Sequence, residues 1–263
     1  MTEPATDRVR LEVAGPIATI TNDNPTKKNA FDDEMDARLF EILAELRGRP
    51  DVRAVVWRGE GSAWSSGRDT SAIGGGQVEM THHELMTRGI RGIQQLWDLE
   101  IPVIVAIQGW AIGGSFQRAL LCDIRIAAEG TRFMLPETKY GVIPDTGGVS
   151  VLYQMAGHGL VSDMVLTGRV LTAEEALHHG VVSRVVPSDE LDATAYEMAE
   201  RIAASPTVAV KMARRVIRHL AQPGQRAAME DELIYQTFIN RSDDYAEMRA
   251  AHADERPPEY RGS

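Results

Sequence analysis

The sequence of 263 residues predicts an α/β fold, and three observations support this prediction. β-branched apolar runs of strand length, such as residues 103–107, occur repeatedly in the first half of the chain. Segments with apolar residues at helical spacing, such as residues 35–46, alternate with these runs. From residue 149 onward the pattern becomes mainly helical. An apolar content of 43% and a charged content of 25% are typical of a globular protein.

The first hundred residues predict a hairpin, a strand and two helices. Residues 9–13 and 17–21 are short β-prone runs around Gly15-Pro16, which favours a hairpin turn. Asp32 or Asp33 is expected to cap the first helix. A strand follows at residues 54–57, and the second helix is expected to begin at His82-His83. These two histidines have no companion ligand at a useful spacing, so no metal site is predicted. Gly74-Gly-Gly76 predicts a flexible loop before that helix.

The second half predicts shorter strands and several helices. A buried strand at residues 103–107 is broken by glycines and continues as a helix through Leu121. Extended segments are predicted at residues 124–127, 132–135 and 181–186, and Pro136 is expected to start a helical turn. Helices are predicted at residues 161–166, 173–178, 193–203, 207–220 and 227–239, and residues 256–260 are expected to be non-helical.

Charge and cysteine content exclude several classes of protein. The net charge of −10 argues against binding to nucleic acid or to an anionic membrane surface, because both attract cationic patches. The single cysteine, Cys122, excludes an internal disulfide and is expected to be a small buried residue. No secretory signal and no apolar run of membrane-spanning length is visible, so a cytoplasmic location is expected.

The glycine pair Gly113-Gly114 lies between the central strand and its helix. The first N–H groups of a helix have no partner within the helix, and such a helix start favours negative charge. The missing Cβ of Gly114 also lets another group approach the backbone closely. Taken alone, the pair is equally consistent with close packing between the helix and the strand.

Three blocks together resemble the enoyl-CoA hydratase/isomerase (crotonase) superfamily. They are residues 63–69 (AWSSGRD), 103–123 (VIVAIQGWAIGGSFQRALLCD) and 133–148 (FMLPETKYGVIPDTGG). The resemblance implies a spiral of ββα turns with a C-terminal helical trimerisation region. It implies an acyl-CoA-binding core over residues 1–200, an oligomerisation region over 201–263, and a homotrimer or a dimer of trimers.

The resemblance also implies a substrate and its contacts. The substrate would be an acyl-CoA thioester, with coenzyme A as part of the substrate, no prosthetic group and no metal. The backbone amides of Arg68 and Gly114 would form an oxyanion hole, which stabilises an enolate on the thioester oxygen. The residues implied in binding the coenzyme are Lys28, Ala30, Ser66, Arg68, Asp69, Gly114 and, from a neighbouring subunit, Phe238. A lysine of the family near the C-terminus is replaced by Glu255.

Three positions decide what proton chemistry is expected. The hydratases of the family have two glutamates, and here Gln117 stands at the first position and Glu137 at the second. An amide orients water or bonds a carbonyl but does not exchange a proton at neutral pH. Asp145 matches an aspartate that other members use as a base or nucleophile, although aspartate is also common in such a turn.

These positions leave three functions open. The first is double-bond isomerisation of an enoyl-CoA, with Glu137 as the acid and base. The second is a weak enoyl-CoA hydratase, in which Glu137 activates water and Asp145 or solvent supplies the proton. The third is a non-catalytic acyl-CoA-binding protein, because Gln117 replaces one catalytic glutamate.

Overall fold

This computed structural model describes residues 8–70 and 82–262. These residues contain nine β-strands and eight α-helices. The strands are β1 Val9–Ala14, β2 Ile17–Asn22, β3 Ala54–Gly59, β4 Val103–Ile107, β5 Trp110–Ile112, β6 Ile124–Ala128, β7 Arg132–Met134, β8 Val170–Thr172 and β9 Arg184–Val186. The helices are α1 Asp33–Arg47, α2 His82–Asp98, α3 Gly113–Leu121, α4 Gly148–Thr167, α5 Ala173–His178, α6 Leu191–Ala203, α7 Thr207–Ile239 and α8 Asp243–Ala253. The predicted α/β class is confirmed.

The larger sheet has the strand order β1-β2-β3-β4-β6-β9. The β1–β2 hairpin is antiparallel, and every later pair in this sheet is parallel. All five side chains of β4 are buried, and they alternate between two apolar clusters, one on each face. Helices therefore cover both faces, as a parallel sheet requires.

Successive strands pass from the larger sheet to a smaller one, β5-β7-β8. β4 is followed by β5, and β6 is followed by β7, while β4 pairs with β6 and β5 pairs with β7, both in parallel. After β3 the chain makes a parallel bridge from Ser65 to Ala111 of β5 in the same way. The segments that follow β3, β4 and β6 therefore lie side by side, and the candidate site is at these segments.

Several predicted elements are confirmed. Asp32 caps α1, because its carboxylate accepts the Met35 N–H at 2.9 Å. The apolar side of α1 is fully buried, as its helical spacing predicts: Met35, Leu39, Ile42, Leu43 and Leu46. α2 begins at His82, as expected. The Gly74-Gly-Gly76 loop lies outside the described residues.

Other elements differ from the prediction. α7 is one helix from Thr207 to Ile239, so the predicted break between residues 220 and 227 is wrong. Its two halves are held by different neighbours, since α7 packs against both α2 and α4. β9 covers only Arg184–Val186, and β5 and β8 are not predicted, because three-residue strands carry too little periodicity. The helix α8 is also absent from the prediction. No helix among the described residues is long and apolar enough to cross a membrane.

The first half of α7 is anchored to the central strand by an ion cluster at Asp123. Arg214 Nε lies 2.9 Å from the Asp123 carboxylate, and Arg218 Nη2 lies 3.3 Å from it. The same carboxylate accepts the Val103 N–H at 2.8 Å. Arg218 also stacks 4.2 Å from the ring centre of Trp97. These contacts fix α7 relative to the start of β4.

Candidate active site

Two backbone segments from different turns of the chain lie side by side at the site. Ser65 donates its N–H to the Trp110 carbonyl at 3.0 Å, and its own carbonyl accepts the Ile112 N–H at 3.1 Å. Gly67 has a φ of +92°, and a Cβ there would lie 2.8 Å from the Ile112 carbonyl oxygen. The close approach therefore requires glycine, and it brings Arg68 beside the start of α3.

The two amides implied in the oxyanion hole lie on these adjacent segments. Gly114 is in the first turn of α3, where a helix offers no acceptor to an N–H group. Neither the Gly114 N–H nor the Arg68 N–H has another acceptor within residues 8–70 and 82–262. The Ser65 hydroxyl ties the segments together through Asn29 and Ser115, at 2.6 and 2.7 Å. Two amides without acceptors on one rigid frame are suited to binding a carbonyl oxygen.

The Glu137 carboxyl lies against the glycine turn. Glu137 begins a short 3₁₀ helix, and a Cβ on Gly113 would be 3.4 Å from its Oε1. Oε1 accepts the Gln117 Nε2–H at 2.8 Å, while Oε2 is buried and has no partner among the described residues. Burial raises the pKa of Glu137 to about 7, and the negative charge of Asp145 adds to the rise. A carboxyl with this pKa exchanges protons readily near neutral pH.

Gln117 is fully buried and uses both ends of its amide. Its Nε2 donates to Glu137, and its Oε1 accepts the Thr146 N–H at 3.0 Å. The Thr146 bond fixes which end of the amide faces Glu137, so Gln117 acts as a donor toward that carboxyl. It joins the catalytic candidate to the loop of residues 143–147.

Asp145 lies in that loop and is half-buried. Burial raises its pKa to about 6, while the nearby positive charges of Arg118 and Arg68 act in the opposite direction. The negative charge of Asp145 in turn raises the pKa of Glu137.

The Arg68 side chain is held by carboxylates of α1. Its guanidinium pairs with Asp33 at 2.7 Å and Asp36 at 3.1 Å, both on α1. Arg118 also binds Asp36, at 2.7 Å, and stacks over the Phe31 ring. Carboxylates of α1 therefore engage this guanidinium. The proposed role of the Arg68 backbone N–H is unaffected.

A cleft of about 420 Å³ lies next to the two segments. Its lining consists of Lys27, Ala30, Ser66, Arg68, Asp69 and Thr70. Lys27, rather than Lys28, lines it and pairs with Asp69 at 2.6 Å. Lys28 is exposed, and its carbonyl accepts the Ser66 N–H at 2.9 Å. Phe238 lies on α7 with 75% of its surface exposed, and the cleft within this chain does not include it.

Two site residues on α7 were not predicted from the sequence. Glu232 accepts the Gly147 N–H at 2.8 Å, and Gln236 accepts the Ile143 N–H at 3.1 Å. Glu232 is only 7% exposed, and burial, with the charges of Asp145 and Glu137, raises its pKa to about 8. Their one sequence signal is a spacing of four residues, which places both on one face of a helix.

The same architecture occurs in known proteins. Residues 12–263 match the family model described as enoyl-CoA hydratase/isomerase. The chain is 37% identical over 261 residues to a carnitinyl-CoA dehydratase of Salmonella arizonae, covering 97% of this chain and 99% of that protein.

Solved structures agree with this match. An enoyl-CoA hydratase/isomerase from Pseudoalteromonas atlantica superposes with a TM-score of 0.87 at 28% identity, over 97% of this chain and 100% of that one. An enoyl-CoA hydratase/carnithine racemase from Magnetospirillum magneticum gives a TM-score of 0.77 at 29% identity, over 98% and 97%. The crotonase-like fold expected from the sequence is confirmed.

Proposed function

This chain belongs to the enoyl-CoA hydratase/isomerase family, and we propose that it isomerises the double bond of an acyl-CoA thioester with Glu137 as acid and base. The Arg68 and Gly114 amides bind the thioester oxygen. Loss of one donor from such a site typically costs about 2.7–4 kcal/mol of barrier.

The proposed reaction moves one proton between two carbons. With a 3-enoyl-CoA, the Glu137 carboxylate removes a proton from C2, and the electron pair passes to the thioester oxygen as an enolate. The enolate then collapses, the double bond forms between C2 and C3, and C4 takes the proton back from Glu137. No atom enters or leaves the substrate, so the reaction needs one proton carrier and no second acid.

The observation that carries this proposal is the environment of Glu137. Its carboxyl is beside Gly113 and has a pKa of about 7. It receives a hydrogen bond from the Gln117 amide, which stands where the hydratases of the family have their first glutamate. Gln117 keeps Glu137 in place but does not carry a proton. A single carboxyl beside the two amides, with an amide in place of the other glutamate of the hydratases, suits a proton shuttle better than a two-acid addition of water.

The coenzyme half of the substrate is proposed to lie along the cleft beside Ala30 and Ser66. Lys28 and Lys27 supply positive charge there for the phosphates, while Asp69 orients Lys27. Phe238 is proposed to pack on the coenzyme of a neighbouring subunit, since it is exposed in the isolated chain.

Replacing Glu137 by glutamine tests the base. The change keeps the size of the side chain and removes its exchangeable proton, so turnover of a 3-enoyl-CoA is expected to fall by about 10²–10⁴-fold. Binding of the acyl-CoA, measured by calorimetry, is expected to persist. Glu129→Gln is a matched control, because Glu129 is exposed in a turn after β6. Unchanged turnover in Glu137→Gln would eliminate Glu137 as the base.

A second candidate is reversible dehydration of a 3-hydroxyacyl-CoA, which the name of the dehydratase relatives favours. It begins with the same proton removal from C2, but hydroxide then leaves C3 and needs an acid. Assays with 2-enoyl-, 3-enoyl- and 3-hydroxyacyl-CoA in ¹⁸O-labelled water separate the two reactions. Isomerisation produces conjugated enoyl-CoA without label, whereas hydration adds labelled oxygen. Tight binding without turnover of any of these would instead indicate a non-catalytic acyl-CoA-binding protein.

A further inference from the structure

We propose that Glu232 of α7 is a positioning residue of this active site: it holds the loop of residues 143–147, and through this loop its carboxyl acts on proton transfer by Glu137. The inference rests on the proposed function, since it concerns proton transfer by Glu137. Glu232 lies 85 residues from the backbone group that it binds, so the contact joins the C-terminal helix to the site.

The contact between α7 and the loop is close. Gly147 has a φ of +79°, and a Cβ there would lie 3.0 Å from the Met229 side chain, one turn of α7 before Glu232. The Gly147 N–H donates to Glu232 Oε2 at 2.8 Å. Gln236, one turn later, accepts the Ile143 N–H at 3.1 Å. Two successive turns of α7 therefore accept hydrogen bonds from both ends of the loop.

A short chain of hydrogen bonds connects Glu232 with Glu137. Thr146 directly precedes Gly147 in the chain, and its N–H donates to Gln117 Oε1 at 3.0 Å. Gln117 Nε2 donates to Glu137 Oε1 at 2.8 Å. A shift of the loop away from Glu232 would turn the Gln117 amide and move the Glu137 carboxyl.

The charges around Glu232 are all negative. Burial, Asp145 from the loop and Glu137 from the 3₁₀ helix all disfavour its ionisation. Arg118 and Arg68 act on Asp145 instead. The pKa values of Asp145, Glu137 and Glu232 are raised to about 6, 7 and 8, and the three carboxyls titrate as a coupled group. Burial and these negative neighbours favour the protonated form of Glu232.

The simpler alternative is that Glu232 only accepts a hydrogen bond and holds the loop. A glutamine would then serve as well, because its Oε1 is also an acceptor. The two roles differ in the effect of ionisation. Above pH 8 an ionised Glu232 adds negative charge beside a site that must stabilise an enolate, so proton transfer should slow.

The first experiment compares the pH dependence of kcat and KM in the wild type, Glu232→Gln, Glu232→Ala and Glu230→Gln. Glu230 is an exposed glutamate on the same helix and serves as the control. The wild type and the control are expected to lose kcat as the pH rises through about 8, and Glu232→Gln is expected to lack this alkaline decrease. Glu232→Ala should lower kcat by about tenfold with a smaller effect on KM, because the Gly147 N–H loses its acceptor.

An alkaline decrease of kcat that is identical in the wild type and Glu232→Gln would overturn the proposal. So would a Glu232→Ala variant with the kcat of the wild type at neutral pH.

A second measurement does not depend on turnover. A buried carboxyl whose folded pKa is raised binds its proton more tightly in the folded state, so stability falls as the pH rises from about 4.5 to about 8. Glu232→Gln should therefore show a shallower decrease of Tm over this range than the wild type. Absence of turnover with every enoyl-CoA would count against the proposed function, while equal Tm slopes would count against the role of Glu232.

Discussion

At the scale of single residues, burial and hydrogen bonding act against each other on Glu137. The bond from Gln117 favours the ionised carboxylate, whereas burial and the charge of Asp145 favour the protonated form, and burial is the largest effect. The resulting pKa of about 7 leaves both forms populated near neutral pH. Gln117 therefore preserves the geometry of a carboxylate pair without raising the pKa of its neighbour by a second charge.

A pH profile tests this balance. Glu137 must lose its proton to act as a base, so kcat is expected to rise as the pH increases through about 7. Asp145→Asn removes the negative charge that raises the pKa of Glu137, and the acidic limb of the kcat profile should then move to lower pH. An acidic limb that stays in place in Asp145→Asn would show that Asp145 does not influence the base.

The residues of the site were predictable to different degrees. Glu137, Gln117 and Asp145 are implied by the resemblance to the family, which short motifs of the sequence carry. Glu232 and the ion pairs of Arg68 depend on contacts across 85 and 35 residues, and no local pattern reports such contacts. A helical glutamate with polar neighbours is usually exposed, so its burial only becomes visible once α7 is placed on the loop.

At the scale of elements, the turn between β5 and α3 connects backbone conformation to chemistry. Gly113 has a φ of +57°, and a Cβ at this position would contact Glu137 Oε1 at 3.4 Å. The same glycine thus permits the left-handed backbone and leaves room for the carboxyl. An added methyl group would affect both the backbone conformation at Gly113 and the space for the Glu137 carboxyl.

Gly113→Ala is expected to destabilise the fold by about 1 kcal/mol and to lower kcat about tenfold, because the methyl group lies 3.4 Å from Glu137 Oε1 in the strained turn that places this carboxyl. Gly130→Ala is the matched control. Gly130 has a φ of +73° in the turn between β6 and β7, and no atom lies within 4 Å of a Cβ there. Both variants should lose similar stability in urea unfolding, but only Gly113→Ala should lose activity. Equal kcat values would contradict this assignment.

Regular periodicity explains which elements were predictable. α1 and β4 each have a long apolar pattern that matches their burial. The three-residue strands β5 and β8 form because they meet β7, and their own residues do not specify them. The continuous α7 shows the opposite effect, since packing at both of its ends maintains a helix where the local sequence predicts a break.

At the scale of the whole molecule, α7 leaves a large apolar surface exposed in the isolated chain. Its exposed apolar residues are Val208, Met212, Val216, Ile217, Leu220, Ile234, Tyr235 and Phe238. A surface of this extent usually marks an interface. It supports the prediction that residues 201–263 form an oligomerisation region and that the protein is a homotrimer or a dimer of trimers.

Light scattering tests this assembly. The wild type is expected to have the mass of a trimer or hexamer, and Leu220→Glu is expected to dissociate it, because burying an unpaired charge at an interface is unfavourable. Leu220 is 83% exposed in the single chain, so the change should not disturb its fold. Ala193→Glu, on the exposed side of α6, is the control and should retain the mass of the wild type. A monomeric wild type would contradict the prediction.

The hydrogen bond from Gly147 to Glu232 has a consequence for protein engineering. A chimera that joins residues 1–200 of this chain to the tail of a relative would replace more than a subunit contact. It would also replace Glu232, the carboxyl that contacts the loop of the active site. Where the relative has a different residue at this position, the optimum pH of the chimera should be that of the relative that supplied the tail.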